Sequence, residues 1–435
     1  MKKALLIIIT ALATNVAPAQ FGNLLDRAKQ KVKNKTNQKI DEKMDKAIDN
    51  TVDNAGKKSA TSNTRPSSND NTATDDKSIN INTGMPTLKS YSKFDFVPGE
   101  KIVVAEDFAQ DAVGDFPDKW NTNGSGEVVT ADGQQGHWLM IRKKGRFIPE
   151  YITSLPENFT FQFDVLCNEK FNYYSNALQL YFLTGSNGKG ALENSFIQMD
   201  KRSGVKLGVH PANAGSTGGT ALVQSFEDGE TVINNEVVTS QFNSNAGKIK
   251  LKVSLWRQKQ RLRVYLNEEK VFDLPRAFAA DKNYGTVLFE LWSDMNNDLD
   301  RYLMSNIKLA VGSPDTRNKL MNEGKFVTHG ILFDVNSDKI KPESYGALKD
   351  IANVLTENTT VKVLITGHTD SDGDDKSNLE LSKKRAASVK SILSKEFNID
   401  ASRMATDGKG ESAPIDKNTS AEGKANNRRV EFIKQ

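Results

Sequence analysis

The spacing of apolar side chains changes several times along this chain, and each change marks a different element. Over residues 21–57, Phe21, Leu24, Leu25, Ala28 and Val32, then Ile40, Met44, Ala47, Ile48 and Val52, recur three and four apart. That is the period of one face of a helix, interrupted by a polar gap around Thr36. Residues 58–95 are rich in Ser, Thr, Asn and Asp and poor in large apolar residues, the composition of a flexible linker. From residue 96 to 312 the period falls to two. FTFQFDVLC (159–167) alternates, and Ile249, Leu251, Val253 and Leu255 face one way while Lys248, Lys250 and Lys252 face the other. Residues 248–275 predict a hairpin followed by a turn at Asn267-Glu268, with Arg261 and Arg263 extending the basic face. TVLFELW and NIKLAVG supply further strands. Several short strands separated by turns predict a β-sandwich or a barrel. A transmembrane barrel needs longer strands with aromatic girdles at both ends, and the lysine-rich face here disfavours it.

The last quarter alternates strand and helix. ILFDV (331–335) predicts the first strand, and Pro342 opens a helix with Tyr345, Leu348, Ile351 and Leu355 on one face. VKVLITG predicts the second strand. Leu379, Ala386, Val389, Leu393 and Phe397 mark the second helix, and two strands ending in VEFIK complete an α+β layer. Asp370 falls at the end of the second strand and Arg385 on the following helix. One carboxylate and one guanidinium on neighbouring elements can grip a zwitterionic amino-acid end group, the acid taking the ammonium and the guanidinium forking onto the carboxylate. Such a site recognises; it contains no nucleophile, base or metal.

GHTDSDG, then Asn378, LSKKRA, GKGESAPI and NRRVEF, preceded by ILFDVNSDKIKP, resemble the OmpA-like peptidoglycan-binding domain. The resemblance covers residues 325–435. It implies non-covalent binding of the diaminopimelate of the peptidoglycan stem peptide, with Asp370 on its amino group and Arg385 on its carboxylate. Thr369, Asn378, Leu381, Ser382, Arg428 and Arg429 match the family's supporting positions. The NEEKVFDLP turn and the EDFAQDAVGDFPDKW segment make residues 96–312 resemble, more loosely, a concanavalin-type jelly roll, a fold of sugar binders and glycoside hydrolases. The chain is therefore expected to be multidomain: an N-terminal amphipathic helix, a β-sandwich (jelly-roll) middle domain and an α+β OmpA-like C-terminal domain.

Composition places this assembly in the cell envelope. Lys2 and Lys3, LLIIITALA and Ala17-Pro18-Ala19 form the three parts of a secretory signal, expected over residues 1–19. The apolar run is short for a bilayer span, and no cysteine stands near the cleavage site to be lipidated. The lone cysteine, Cys167, is expected in the core and rules out an internal disulfide. A net charge of +4, spread along the 435 residues, gives no basis for nucleic-acid binding. The expected location is the periplasm, associated with the outer membrane and wall of a Gram-negative cell. The helix over 20–57 docks on a neighbour or its own copy, or lies on a membrane surface.

Few other residues offer chemistry. Glycoside cleavage needs two carboxylates facing across the scissile bond; only Glu290 stands out, and alone it reads as a residue of a solvated face. Trp120, Trp138, Trp256 and Trp292 read as core before they read as sugar platforms. Asp294, Asn296, Asp298 and Asp300 alternate like calcium ligands, but Leu299 and Ser305 stand where a calcium loop wants glycine and glutamate. His137, His210, His329 and His368 lack metal-ligand spacing, and His368 is placed to shape the Asp370 site. GSTGGTA (215–221) reads as a mobile loop. The expectation is a non-catalytic envelope protein without cofactor, bound to peptidoglycan, whose middle domain engages a glycan or envelope protein. The alternative is a periplasmic glycan hydrolase held at the wall by its C-terminal domain.

Overall fold

The structure, a computed structural model, describes residues 94–185, 192, 202–215 and 217–435. The expected signal, amphipathic helix and most of the linker lie outside the described residues. The first part of the described chain is built mainly of strands, with a single-turn 3-10 helix at Ser244–Ala246: β1 (Lys101–Glu106), β2 (Trp120–Thr122), β3 (Gly126–Val129), β4 (Trp138–Ile141), β5 (Gly145–Pro149), β6 (Asn158–Cys167), β7 (Leu178–Thr184), β8 (Gly204–His210), β9 (Gly219–Glu227), β10 (Glu230–Thr239), β11 (Lys250–Gln258), β12 (Arg261–Leu266), β13 (Glu269–Leu274), β14 (Tyr284–Leu291) and β15 (Tyr302–Val311). They form two antiparallel sheets. One runs β13-β12-β11-β6-β15-β4-β3 with β1 also paired to β15, and the other runs β10-β9-β8-β7-β14-β5-β2.

The two sheets share one core. Phe161 and Phe163 of β6 meet Phe182 of β7 and Phe289 of β14, with ring centroids 5.5 and 5.3 Å apart. Cys167 is part of this core. Packed side chains therefore fill the space that a wide barrel would leave as a lumen. The expected hairpin is present: β11 pairs with β12 from Val253↔Leu266 to Gln258↔Arg261, and Asn267, at φ 51°, turns the chain into β13. The glycine-rich run expected as a loop instead leads into β9, which Gly219 opens.

The basic face of that hairpin differs from the expectation of a free surface. Trp256 is buried, because Phe94, Phe96 and Val97 pack in one cluster with it and Tyr265. Phe96 packs edge-on against Trp256 and Tyr265, and Asp95 accepts from the Tyr265 hydroxyl at 2.8 Å and pairs with Lys270 at 2.9 Å. Ordered structure thus reaches back at least to Phe94. Arg261 and Arg263 both pair with Asp273.

After α1 (Thr316–Met321) the chain forms β16 (Lys325–Thr328), α2 (Tyr345–Glu357), β17 (Val363–His368), α3 (Asp375–Phe397), β18 (Met404–Gly410), α4 (Ala421–Asn427) and β19 (Val430–Lys434). The sheet order is β16-β19-β17-β18, with β17 and β18 parallel. Leu348, Ile351 and Leu355 of α2 and Ala386, Val389 and Leu393 of α3 bury a common core with Ile365 and Phe432. Residues 331–335 are not the first strand; β16 takes that place. Phe333 makes only a single bridge to Ile340, because Asn336, at φ 51°, folds the segment back on itself. Helix α4, missed by the pattern, is short and capped by Ser420, whose side chain accepts from Gly423 N at 3.1 Å.

The C-terminal domain docks on the outer face of the first sheet. Ile102, Ala310 and Ala425 form a small apolar contact, and Lys319 pairs with Glu100 at 2.8 Å. At Gly346 an added Cβ would stand 2.1 Å from the Phe96 carbonyl oxygen, so only glycine lets α2 approach residues 94–97 this closely.

Candidate functional site

The site is assembled where β17 runs out and α3 begins. Thr369 and Asp370 follow β17 directly, and Asp374 caps α3 by accepting from Ser377 N at 3.0 Å. The loop between is held from inside. Asn378 Nδ2 donates to the carbonyls of Asp372 at 3.1 Å and Asp370 at 3.4 Å and to Glu411 Oε2 at 2.6 Å. Thr369 N donates to Gly410 O at 3.0 Å. Ser382 is fully buried, accepting from Gly410 N at 2.9 Å and donating to Leu379 O at 2.7 Å. A Cβ at Gly367 would lie 2.3 Å from Ser382 O, so the absence of a side chain there sets how near β17 and α3 can lie. Leu379, expected on the apolar face of α3, is instead exposed; Asn378 and Ser382 take the inward positions of that turn.

Asp370 is 7% exposed, and its carboxylate pairs with Arg428 Nη1 and accepts from Asp372 N at 3.2 Å. Arg385 projects from α3, donates Nε to Ser337 O at 3.0 Å and lays its guanidinium 4.9 Å from the centre of the Phe333 ring. Burial lowers its pKa while the negative charge of Asp370 raises it; a guanidinium stays charged under either influence. Asp370 is thus paired with Arg428, and Arg385 stands near enough to feel the charges of both. Nearby, the Thr369 hydroxyl is buried with no hydrogen-bond partner among the described residues.

Arg429 is placed differently from its neighbour. It is buried and bound to Glu431 at 2.8 Å and to Ala413 O at 3.0 Å, because consecutive residues entering β19 point to opposite sides. Burial would push the Glu431 carboxyl up, yet the polar contacts of His368, Lys325 and Arg429 hold it well below the usual carboxylate range. His368 thus sits behind the site, 3.6 Å from Glu431. Leu381 is half-buried on α3. Sequence reasoning did not single out Phe333, Ser337 or Glu411, which position Arg385 and Asn378; Phe333 and Ser337 lie within the ILFDVNSD block already noted.

The remaining candidates scatter. Glu290, expected on a solvated face, is 4% exposed and bound to Arg146 at 2.8 Å. Trp120, Trp138 and Trp256 are buried, whereas Trp292 is 47% exposed. Asp300 is fully buried and accepts from Asn168, Asn172, Ser175 and Asn297, while Asp294 and Asp298 turn to Lys143 and Arg142. Among the described residues no helix is long and apolar enough to cross a membrane.

Comparison with known proteins meets this geometry at the same residues. Residues 332–428 form an OmpA-family domain. The chain is 39% identical over 101 residues to outer membrane porin F of Pseudomonas aeruginosa, covering 23% of this chain and 29% of that one. It is 44% identical over 104 residues to the probable lipoprotein YiaD of Escherichia coli, covering 24% and 47%. The chain thus spans less than half the length of these relatives. Among solved structures, the cell wall anchor of the T6SS from Pseudomonas aeruginosa is 32% identical, with 26% of this chain and 81% of that chain covered and a TM-score of 0.23.

Proposed function

We propose that this protein is a non-catalytic anchor of the cell envelope whose OmpA-family domain holds peptidoglycan by the diaminopimelate of its stem peptide. The observation that carries this reading is the Asp370–Arg428 pair, with Arg385 within its electrostatic reach and the Thr369 hydroxyl unpartnered among the described residues, all within residues matching the family. The ligand's ammonium takes Asp370, sharing it with or displacing Arg428. Its carboxylate takes Arg385, whose plane Phe333 and Ser337 already fix. Pre-fixing a long side chain lowers the entropy lost on binding. Asn378 and Ser382 keep the loop and helix in register for this contact.

The two-sheet domain is read as a concanavalin-type jelly roll that engages a second glycan or protein partner, in an exported protein of the periplasm. Glu290, held by Arg146, supports binding over cleavage, since a retaining hydrolase needs a facing pair of free carboxyl groups. The test is co-sedimentation of the full chain with purified sacculi, with free meso-diaminopimelate as competitor. The protein should pellet with the sacculi and be released by the competitor. Failure to pellet, or pelleting indifferent to the competitor, contradicts the reading.

A further inference from the structure

The Asp370–Arg385 site does not face open solvent on every side. A cavity of about 300 Å³ lies between the C-terminal domain and the outer face of the first sheet, and Arg385 and Arg428 line its near wall. Its far wall comes from the other domain: Lys308 of β15, Asn306 beside it, and Asp164 and Lys252 on the neighbouring strands. A β-bulge between Ser305 and Lys308, with Asn306 at φ 54°, shifts the side-chain alternation of β15. Ile307 and Leu309 consequently enter the core and Lys308 the cavity. The charges are unbalanced. Lys252, Lys308, Lys341, Arg385, Arg428 and Arg429 line the space, against Asp164 and Glu343.

Asp164 is already committed, to Lys252 at 3.3 Å and to Asn306 Nδ2 at 2.9 Å. No carboxylate among the described residues lies within ion-pair distance of Lys308. Burial, reinforced by the charges of Lys252, Arg428 and Lys341 and opposed by Asp164, pushes its ammonium down to about 8. A half-buried cation with mostly cations around it and no ion-pair partner has little to gain from the fold itself. It has much to gain from an anion placed in the cavity.

We propose that this interdomain cavity is a second subsite that takes a carboxylate of the same stem peptide, with Lys308 as its principal contact and Lys252 beside it. The assignment rests on the diaminopimelate reading. The γ-linked glutamate that precedes diaminopimelate in such peptides carries a free α-carboxylate one residue away, and this is the group assigned to Lys308. The middle domain then forms part of the wall-binding site, and wall binding holds the two domains together.

The experiment is calorimetric titration of the full chain with three probes: free meso-diaminopimelate, the tripeptide L-alanyl-γ-D-glutamyl-meso-diaminopimelate, and that tripeptide with the glutamate α-carboxyl amidated. The wild type should bind the acidic tripeptide about ten-fold more tightly than the amidated one. Lys308→Met should abolish that preference, and Lys252→Met reduce it, with binding of free diaminopimelate unchanged. Because Lys308→Met removes a half-buried charge that has no ion-pair partner, it should melt no lower than the wild type, which separates lost binding from lost folding. Free diaminopimelate bound normally, with equal affinity for the two tripeptides or a preference that survives Lys308→Met, overturns the second subsite alone. No binding of any probe by the wild type overturns this proposal together with the reading beneath it.

Discussion

Asn426 and Ile102, 324 positions apart, hold each other by two hydrogen bonds: Ile102 N donates to Asn426 Oδ1 at 3.0 Å, and Asn426 Nδ2 donates to Ile102 O at 2.9 Å. One buried side-chain amide thus stands in for a neighbouring strand and ties β1 of the two-sheet domain to α4 of the OmpA-family domain. Replacement by alanine leaves a buried donor and acceptor unpaired. Asn426→Ala should cost about 1–3 kcal/mol, read as a lower chemical-denaturation midpoint. Amide exchange should quicken at Ile102 while the core of α3 stays protected.

The same junction offers a steric test. Gly346→Ala places a methyl 2.1 Å from the Phe96 carbonyl oxygen, a distance that one of the two segments must relieve by moving. Overpacking of this kind costs about 1–3 kcal/mol. Residues 94–97 should become accessible to protease while the C-terminal core remains folded, as limited proteolysis followed by mass spectrometry would report.

Much of the C-terminal domain was legible because its motifs are local. The cores of α2 and α3 follow a helical period, and the acid and arginine stand where strand end and helix turn put them. What the pattern missed depends on contacts distant in sequence. The outer face of β11 reads as a solvated lysine row, yet Trp256 is covered by Phe96, about 160 positions away. Glu290 looks like an isolated surface acid until β5 brings Arg146 across to it. Arg428 and Arg429 look equivalent, and only their entry into β19 sends one to the site and the other inward. Lys308 carried no signal, since the bulge that turns it toward the cavity depends on its pairing with β6.

His329 gives the fold an acid-sensitive element. Burial is the main cause that lowers its pKa to about 4, and Nε2 lies 3.0 Å from Asn426 O. The unfolded chain therefore binds this proton more readily than the folded one. The associated stability is fully present above about pH 6.5 and is lost as pH falls toward 4. His329→Gln should lose roughly 2–3 kcal/mol less than the wild type between pH 7 and pH 4.5. Denaturant titrations of both proteins at the two pH values check this; parallel losses would remove His329 from the account.

The central claim is that Asp370 and Arg385 hold the two charges of one amino-acid end group. Removing either leaves the ligand's opposite charge unpaired, a loss of roughly 1.5–3 kcal/mol, or about ten- to a hundred-fold in affinity. The direct measurement is the apparent affinity of the full chain for purified sacculi, by co-sedimentation, for the wild type, Asp370→Ala and Arg385→Ala, with folding checked by circular dichroism. Both folded variants should bind at least ten-fold more weakly than the wild type. Wild-type affinity in both would contradict the assignment.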